Sequence, residues 1–174
     1  TMLRASVARP EKSRTCLAAI AEIACGSGVT GMIAGQTMDL YCERGNAMDA
    51  QTLAYIHRNK TACMFIYPLR AAGRLCEATE SQIRALTDYG SAFGLLFQAT
   101  DDLLDVTGSP EQMGKTLGKD AASGKLTCIS LYGIEGTKDL IRQQCEQAIE
   151  AIAPIGAGAN FFIQLAQSMK ERTH

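Results

Sequence analysis

No stretch of this chain alternates apolar and polar residues strictly enough to form a half-buried strand, and valine is scarce, so β-structure is not expected. Aromatic residues make up only 6% of the sequence. Charged side chains interrupt every apolar run before it nears the roughly 20 residues needed to cross a bilayer. The expectation is a soluble protein with no membrane span. An excess of charge is missing as well: 17 basic against 18 acidic residues leave a net charge of -1. That balance gives no long-range pull toward a polyanion, and no nucleic-acid partner is expected. No CxxC pair occurs among the seven cysteines, at positions 16, 25, 42, 63, 76, 128 and 145. An odd, widely spaced set fits neither a disulfide framework nor a zinc knuckle, and points to buried free thiols in a reducing, cytoplasmic compartment. Residues 1–14 are polar and basic and lack an apolar signal core, and Thr1 precedes Met2, as it would at a cut N-terminus.

What is present is one domain's worth of chain, 174 residues of which 47% are hydrophobic, with apolar side chains recurring at three and four. The chain reads as all-α. Pro10 opens a first helix with Leu17, Ile20 and Ile23 on one face, closing toward Gly26 and Gly28. A second covers about residues 30–43. A third opens at Asp49, a good N-cap, and runs to about Leu75 with a kink expected at Pro68. Thr79 and Gln82 have capping-box spacing, and Ile83, Leu86, Gly90, Phe93, Phe97 and Leu104 then form a stripe down to Val106. Gly108 and Pro110 stop this helix, the strongest in the chain. Shorter helices are expected at about residues 126–132, 138–152 and 160–170. Helices this long and this apolar imply packing within a large bundle.

Gln98, Asp101, Asp102 and Asp105 are three or four residues apart and so project from one side of the strong helix. Spacing alone leaves two readings open, a solvated acidic face and a metal-binding face. The first carries a cost. Like charges four apart repel by a few tenths of a kcal/mol, and carboxylates near a helix C-terminus oppose its dipole by roughly 0.3–1 kcal/mol each. Something positive should offset this, and carboxylate oxygens suit Mg2+ completed by phosphate oxygens. The next segment supplies lysines: Gly114-Lys115, Gly118-Lys119-Asp120 and Gly124-Lys125. Acid on a helix and base on the adjoining glycine-rich loop suggest a metal-bridged diphosphate.

These residues resemble those of the trans-isoprenyl diphosphate synthases, the polyprenyl synthetases that include farnesyl and geranylgeranyl diphosphate synthases. Residues 97–105, FQATDDLLD, resemble the family's second aspartate-rich motif, FQxxDDxxD. The segments from Gly114 to Lys125 resemble its GK, GxD and GK elements. Upstream, residues 31–40, GMIAGQTMDL, resemble its GMxxGQxxDL helix, and residues 55–61, YIHRNKT, its YIHxxKT segment.

The resemblance implies an isoprenoid synthase-type helical bundle in which Asp101, Asp102 and Asp105 bind Mg2+ directly or through water. It implies that Lys60, Lys115 and Lys125 contact the diphosphate of an allylic substrate, with Thr61, Gln98 and Gln36 near the allylic chain. The implied reaction condenses that allylic diphosphate with isopentenyl diphosphate in a homodimer. His57 is expected to be a surface or structural histidine, and Phe65, Phe93 and Phe97 to be core. The family's first aspartate-rich motif and its basic isopentenyl-diphosphate segment have no counterpart in these residues, so residues 1–174 are expected to be the C-terminal portion of a synthase, inactive alone and dependent on assembly. A non-catalytic subunit of a heteromeric synthase and a terpene cyclase are the alternatives.

Overall fold

The computed structural model describes residues 10–45, 49–108 and 125–172. After a 3-10 turn at Pro10–Lys12 come α1 (Ser13–Ser27), α2 (Met32–Cys42) and α3 (Ala50–Ile56). A π-helical segment, His57–Ala62, joins α3 to α4 (Cys63–Leu75), and α5 (Glu80–Thr107) follows. The remainder is α6 (Cys128–Ile152), a 3-10 turn at Ala153–Gly158, and α7 (Ala159–Lys170). The described residues are all-helical, as expected.

Local chemistry explains most boundaries. The Asp49 side chain accepts the Thr52 N–H at the start of α3. Thr79 and Gln82 form the expected reciprocal capping box at the start of α5. A second box, Thr127 with Ser130, opens α6. Gly133, at φ +68°, breaks α6 where the sequence separates two helices.

Pro68 lies inside α4, as expected, and a π-helical segment precedes that helix. In α1 it is Cys16, Ala19 and Gly26 that are buried, while Leu17 and Ile23 are exposed. The reason is that α1 lies on α4 closely enough for small residues to form the contact. Finally, Ser13–Cys42 and Cys128–Lys170 are long and apolar enough, by composition, to pass for bilayer spans. The first is interrupted by the turn that the Gly31 N–H closes on the Gly28 carbonyl, and the second by Gly156 at φ +71°.

The centre of the fold is α5, packed between α4 and α6, with α7 against α6. Its inward residues Leu86, Tyr89, Phe93, Leu96 and Ala99 meet Cys128, Ile141, Cys145, Ala148 and Ile152 of α6. The Phe65 ring contacts those of Phe93 and Phe97; Phe93 is in the core and Phe65 packs against it, as expected, while Phe97 is half-buried. Five cysteines are buried, Cys25 and Cys76 are exposed, and all seven are free thiols.

Outside the core, Glu22 of α1 accepts from Arg70 Nε at 2.6 Å and Nη2 at 2.8 Å, and from Arg74 Nε at 3.3 Å. Burial alone would raise the Glu22 pKa, but the hydrogen bonds and charge of Arg70, then Arg74, hold it below the ordinary carboxylate value. A carboxyl whose pKa is lowered by folding contributes stability above its unfolded pKa and loses it as pH falls through the folded one. The thermal advantage of the native chain over Glu22→Gln is therefore expected to be constant near neutrality and to shrink below about pH 4.5. A gap that stays unchanged down to pH 3 would remove the ion pair as its source.

Candidate active site

Three elements converge beside the C-terminal half of α5: the π-helical segment, the end of α2, and the chain entering α6. Thr61 Oγ1 donates to Gln98 Oε1 at 2.9 Å, and Gln98 Nε2 donates to Asp102 Oδ1 at 2.9 Å. The other Asp102 oxygen, Oδ2, accepts the backbone N–H of Cys128 at 2.7 Å. Asp102 is thus buried with both oxygens engaged, one by its own helix and one by the first turn of α6. Burial pushes its pKa up, against the Cys128 N–H, the Gln98 amide and the Lys125 charge, which favour the carboxylate.

Facing it, His57 is 4% exposed, with Nε2 4.0 Å from Asp102 Oδ2. The expected surface or structural histidine is a buried one. Burial drops its pKa to about 4, with Asp39 opposing the shift and Lys125 and Lys60 adding to it. Lys60 is ion-paired with Asp39, a buried carboxylate on α2. Asp39, His57, Lys60, Gln98, Asp102 and Lys125, closed off by Ile56 and Leu126, line one narrow cleft.

This close convergence depends on glycine. A Cβ at Gly35 of α2 would lie 2.1 Å from the Lys60 backbone nitrogen, and one at Gly94 of α5 would lie 2.4 Å from Ala62 Cα. The π-helical segment is held between these two bare backbone positions. Such segments are uncommon and recur at functional sites.

Of the residues singled out in the sequence, Lys60, Thr61, Gln98, Asp102 and Lys125 come together here. Asp101 and Asp105 stand on the same side of α5 by helical spacing and are half-buried, outside the residues lining the cleft. Asp105 Oδ2 is buried with no hydrogen-bond partner among the described residues, an acceptor of the kind a cation satisfies. Lys115, with Gly114, Gly118, Lys119, Asp120 and Gly124, lies outside the described residues.

Sequence reasoning gave no role to Asp39 and missed the burial of His57. The available signal was spacing: Asp39 lies one helical turn beyond Gly35, on the face that meets the π-helical segment. It also missed that His57, Asp102 and Cys128 bring one ligand atom each within 4.8 Å of one another, a candidate metal-coordinating group. Imidazole and thiol donors suit a zinc-like ion better than Mg2+, and burial, then Asp102, raises the Cys128 thiol pKa and keeps it protonated. Unsatisfied carboxylate oxygen at Asp105 is the better match to Mg2+.

A family model described as Polyprenyl synthetase matches residues 10–155. The chain belongs to the polyprenyl synthetase family. Geranylgeranyl pyrophosphate synthase 9, chloroplastic, of Arabidopsis thaliana is 37% identical over 159 residues, which are 88% of this chain and 43% of that protein. Geranylfarnesyl diphosphate synthase, chloroplastic, of Leucosceptrum canum is 38% identical over 146 residues, 81% of this chain and 40% of that protein. This polyprenyl synthetase chain therefore spans less than half the length of these curated relatives. An FPP/GFPP synthase from Zymomonas mobilis superposes with a TM-score of 0.75 at 27% identity, covering 90% of this chain and 51% of that one. Geranylgeranyl Pyrophosphate Synthetase from the archaeon Geoglobus acetivorans shares the fold, with a TM-score of 0.78 at 23% identity over 92% of this chain and 59% of that one. The all-α bundle is that of the isoprenoid synthases. The expected cytoplasmic location is overturned, because the names of these plant relatives place them in the chloroplast. Compartment is addressed by segments that transport receptors read, so free thiols in the folded helices were no guide to it.

Proposed function

We propose that this chain is the C-terminal portion of a Mg2+-dependent isoprenyl diphosphate synthase that condenses an allylic diphosphate with isopentenyl diphosphate, in the plastid. The observation that carries the reading is the convergence of Lys60, Gln98, Asp102 and Lys125, drawn from three elements, at one cleft, with Thr61 hydrogen-bonded to Gln98.

Each residue then has a task. Asp101 and Asp105 hold Mg2+ through oxygens not already committed, and Asp102, the third member of the expected metal set, joins α5 to α6 beneath them. Bound Mg2+ supplies positive charge to the departing diphosphate. Lys60 and Lys125, with Lys115, donate to the diphosphate oxygens and stabilise the charge that grows on them as the carbon–oxygen bond breaks. Thr61 and Gln98, fixed to one another, present oxygen toward the cationic carbon. In this reading the isopentenyl diphosphate site is not supplied by these residues, so the chain alone is expected to be inactive.

Titration calorimetry with Mg2+ and inorganic pyrophosphate tests the binding half of this reading on the chain as it stands. Binding that requires Mg2+ is expected, weakened at least about tenfold by Lys125→Ala, since a hydrogen bond to a charged group contributes roughly 1.5–3 kcal/mol. No Mg2+-dependent binding would sink the reading. Prenyl product from the chain alone, given both substrates and Mg2+, would overturn its inactivity.

A second reading, a non-catalytic subunit, is favoured by one observation. Val29, in the turn before α2, is exposed with Ile33 and Tyr41 of α2 and Tyr55 of α3, an apolar face suited to a partner protein or a second copy. Such a subunit would change the product of a complete synthase while binding no pyrophosphate itself.

A further inference from the structure

Asp39 has no part in the function proposed above, yet its surroundings are unusual for a carboxylate. It is 2% exposed on α2, and its Oδ2 accepts from the Lys60 ammonium. The Lys60 side chain is 30% exposed, so the pair has one end in the protein and the other at the cleft. Gly35, one turn before Asp39, brings α2 onto the Lys60 backbone, so backbone and side chain of Lys60 are both engaged by one face of α2. The other charged or titratable groups at this cleft are His57 of the π-helical segment, Asp102 of α5 and Lys125 before α6.

We propose that Asp39 is a positioning residue, which holds the Lys60 ammonium in place at the cleft so that an arriving diphosphate meets an ordered cation. The inference rests on the diphosphate reading of the site. A lysine on its own is a flexible stem ending in three rotatable donors. A buried carboxylate, which water does not reach, demands a partner and restrains that stem. One donor is spent on Asp39 and two remain for phosphate oxygens. Without Asp39 the ammonium would be free to swing away.

The test combines a double-mutant cycle with amine labelling on the 174-residue chain. Asp39→Asn is expected to weaken binding of Mg2+ with inorganic pyrophosphate about tenfold, and to weaken it no further in a Lys60→Ala background, because the effect passes through Lys60. A purely structural role would lower the thermal midpoint and add its cost in both backgrounds. Wild-type affinity in Asp39→Asn, or losses that simply add, would overturn the proposal. Limiting acetic anhydride with peptide mass mapping reads the contact independently: Asp39→Asn should label Lys60 several-fold faster relative to Lys138, whose partner Glu135 is an exposed i,i+3 neighbour. Should Asp39→Asn not fold, wild-type labelling of Lys60 faster than of Lys138 overturns the proposal by itself. A wild-type chain that binds no pyrophosphate removes the diphosphate reading and this role with it, whereas binding that survives Asp39→Asn removes this role alone.

Discussion

Asp102→Ala is expected to lower the thermal midpoint by roughly 6–12 °C, while Asp101→Ala, on the same helix and one residue away, is expected to stay within about 2 °C of wild type. The difference follows from what each carboxylate touches. Asp102 is 3% exposed and accepts from Gln98 and from the Cys128 N–H. Removing it leaves the half-buried Gln98 amide and one of the N–H groups of the α6 N-terminus without this acceptor. Such a loss costs on the order of 3 kcal/mol, and a chain of this size shifts by about 2–4 °C per kcal/mol. Asp101 is half-buried, and no hydrogen bond of its side chain to another element holds the described fold together. Its loss should fall on Mg2+-dependent pyrophosphate binding instead. Circular dichroism melts at neutral pH, set beside calorimetry, separate the two outcomes. Equal melting of both variants would discard the joining role given to Asp102.

Gly35→Val should be at least as damaging. The added Cβ would sit 2.1 Å from the Lys60 nitrogen and 2.6 Å from its Cα, and those atoms are backbone, with no side-chain rotamer to give way. Overpacking of a core typically costs 1–3 kcal/mol, and a clash with backbone belongs above that range, at roughly 3 kcal/mol or more. Relief requires α2 to lift off the π-helical segment. The separation would part Asp39 from Lys60 as well, so loss of stability and loss of pyrophosphate binding should appear together. Gly94→Val attacks the same segment from the other side, through Ala62, and should behave alike. A Gly35→Val chain with the native melting temperature would mean that the helices do not cross this closely.

The acidic stripe shows how far the linear pattern could be followed. Three aspartates near the end of a helix carry an electrostatic cost, and from the residues alone that cost demanded a positive counterpart. For Asp102 the fold supplies one in the N-terminus of α6, whose dipole and free N–H groups favour a carboxylate, with Lys125 close by. For Asp105 the described residues supply no hydrogen-bond partner to Oδ2, and the demand for a cation persists there. Equal spacing on a helix therefore concealed unequal roles. The same limit explains α1, where Leu17 and Ile23 are the larger apolar residues but Cys16, Ala19 and Gly26 make the contact. Periodicity finds a helix and its candidate faces, and the neighbour's distance selects among them.

Helix positions, their caps at Asp49 and Thr79, the break near Gly133, and the residues that mark the family were all determined by the amino-acid order, because each depends on side chains within a few positions of one another. The π-helical segment, the burial of His57, the pairing of Asp39 with Lys60, and the joining of Asp102 to α6 were decided only in three dimensions. These contacts link residues 21 or more positions apart, or depend on how closely two backbones approach. No local pattern encodes that distance, since it is set by the packing of α2, α5 and α6 around one short segment.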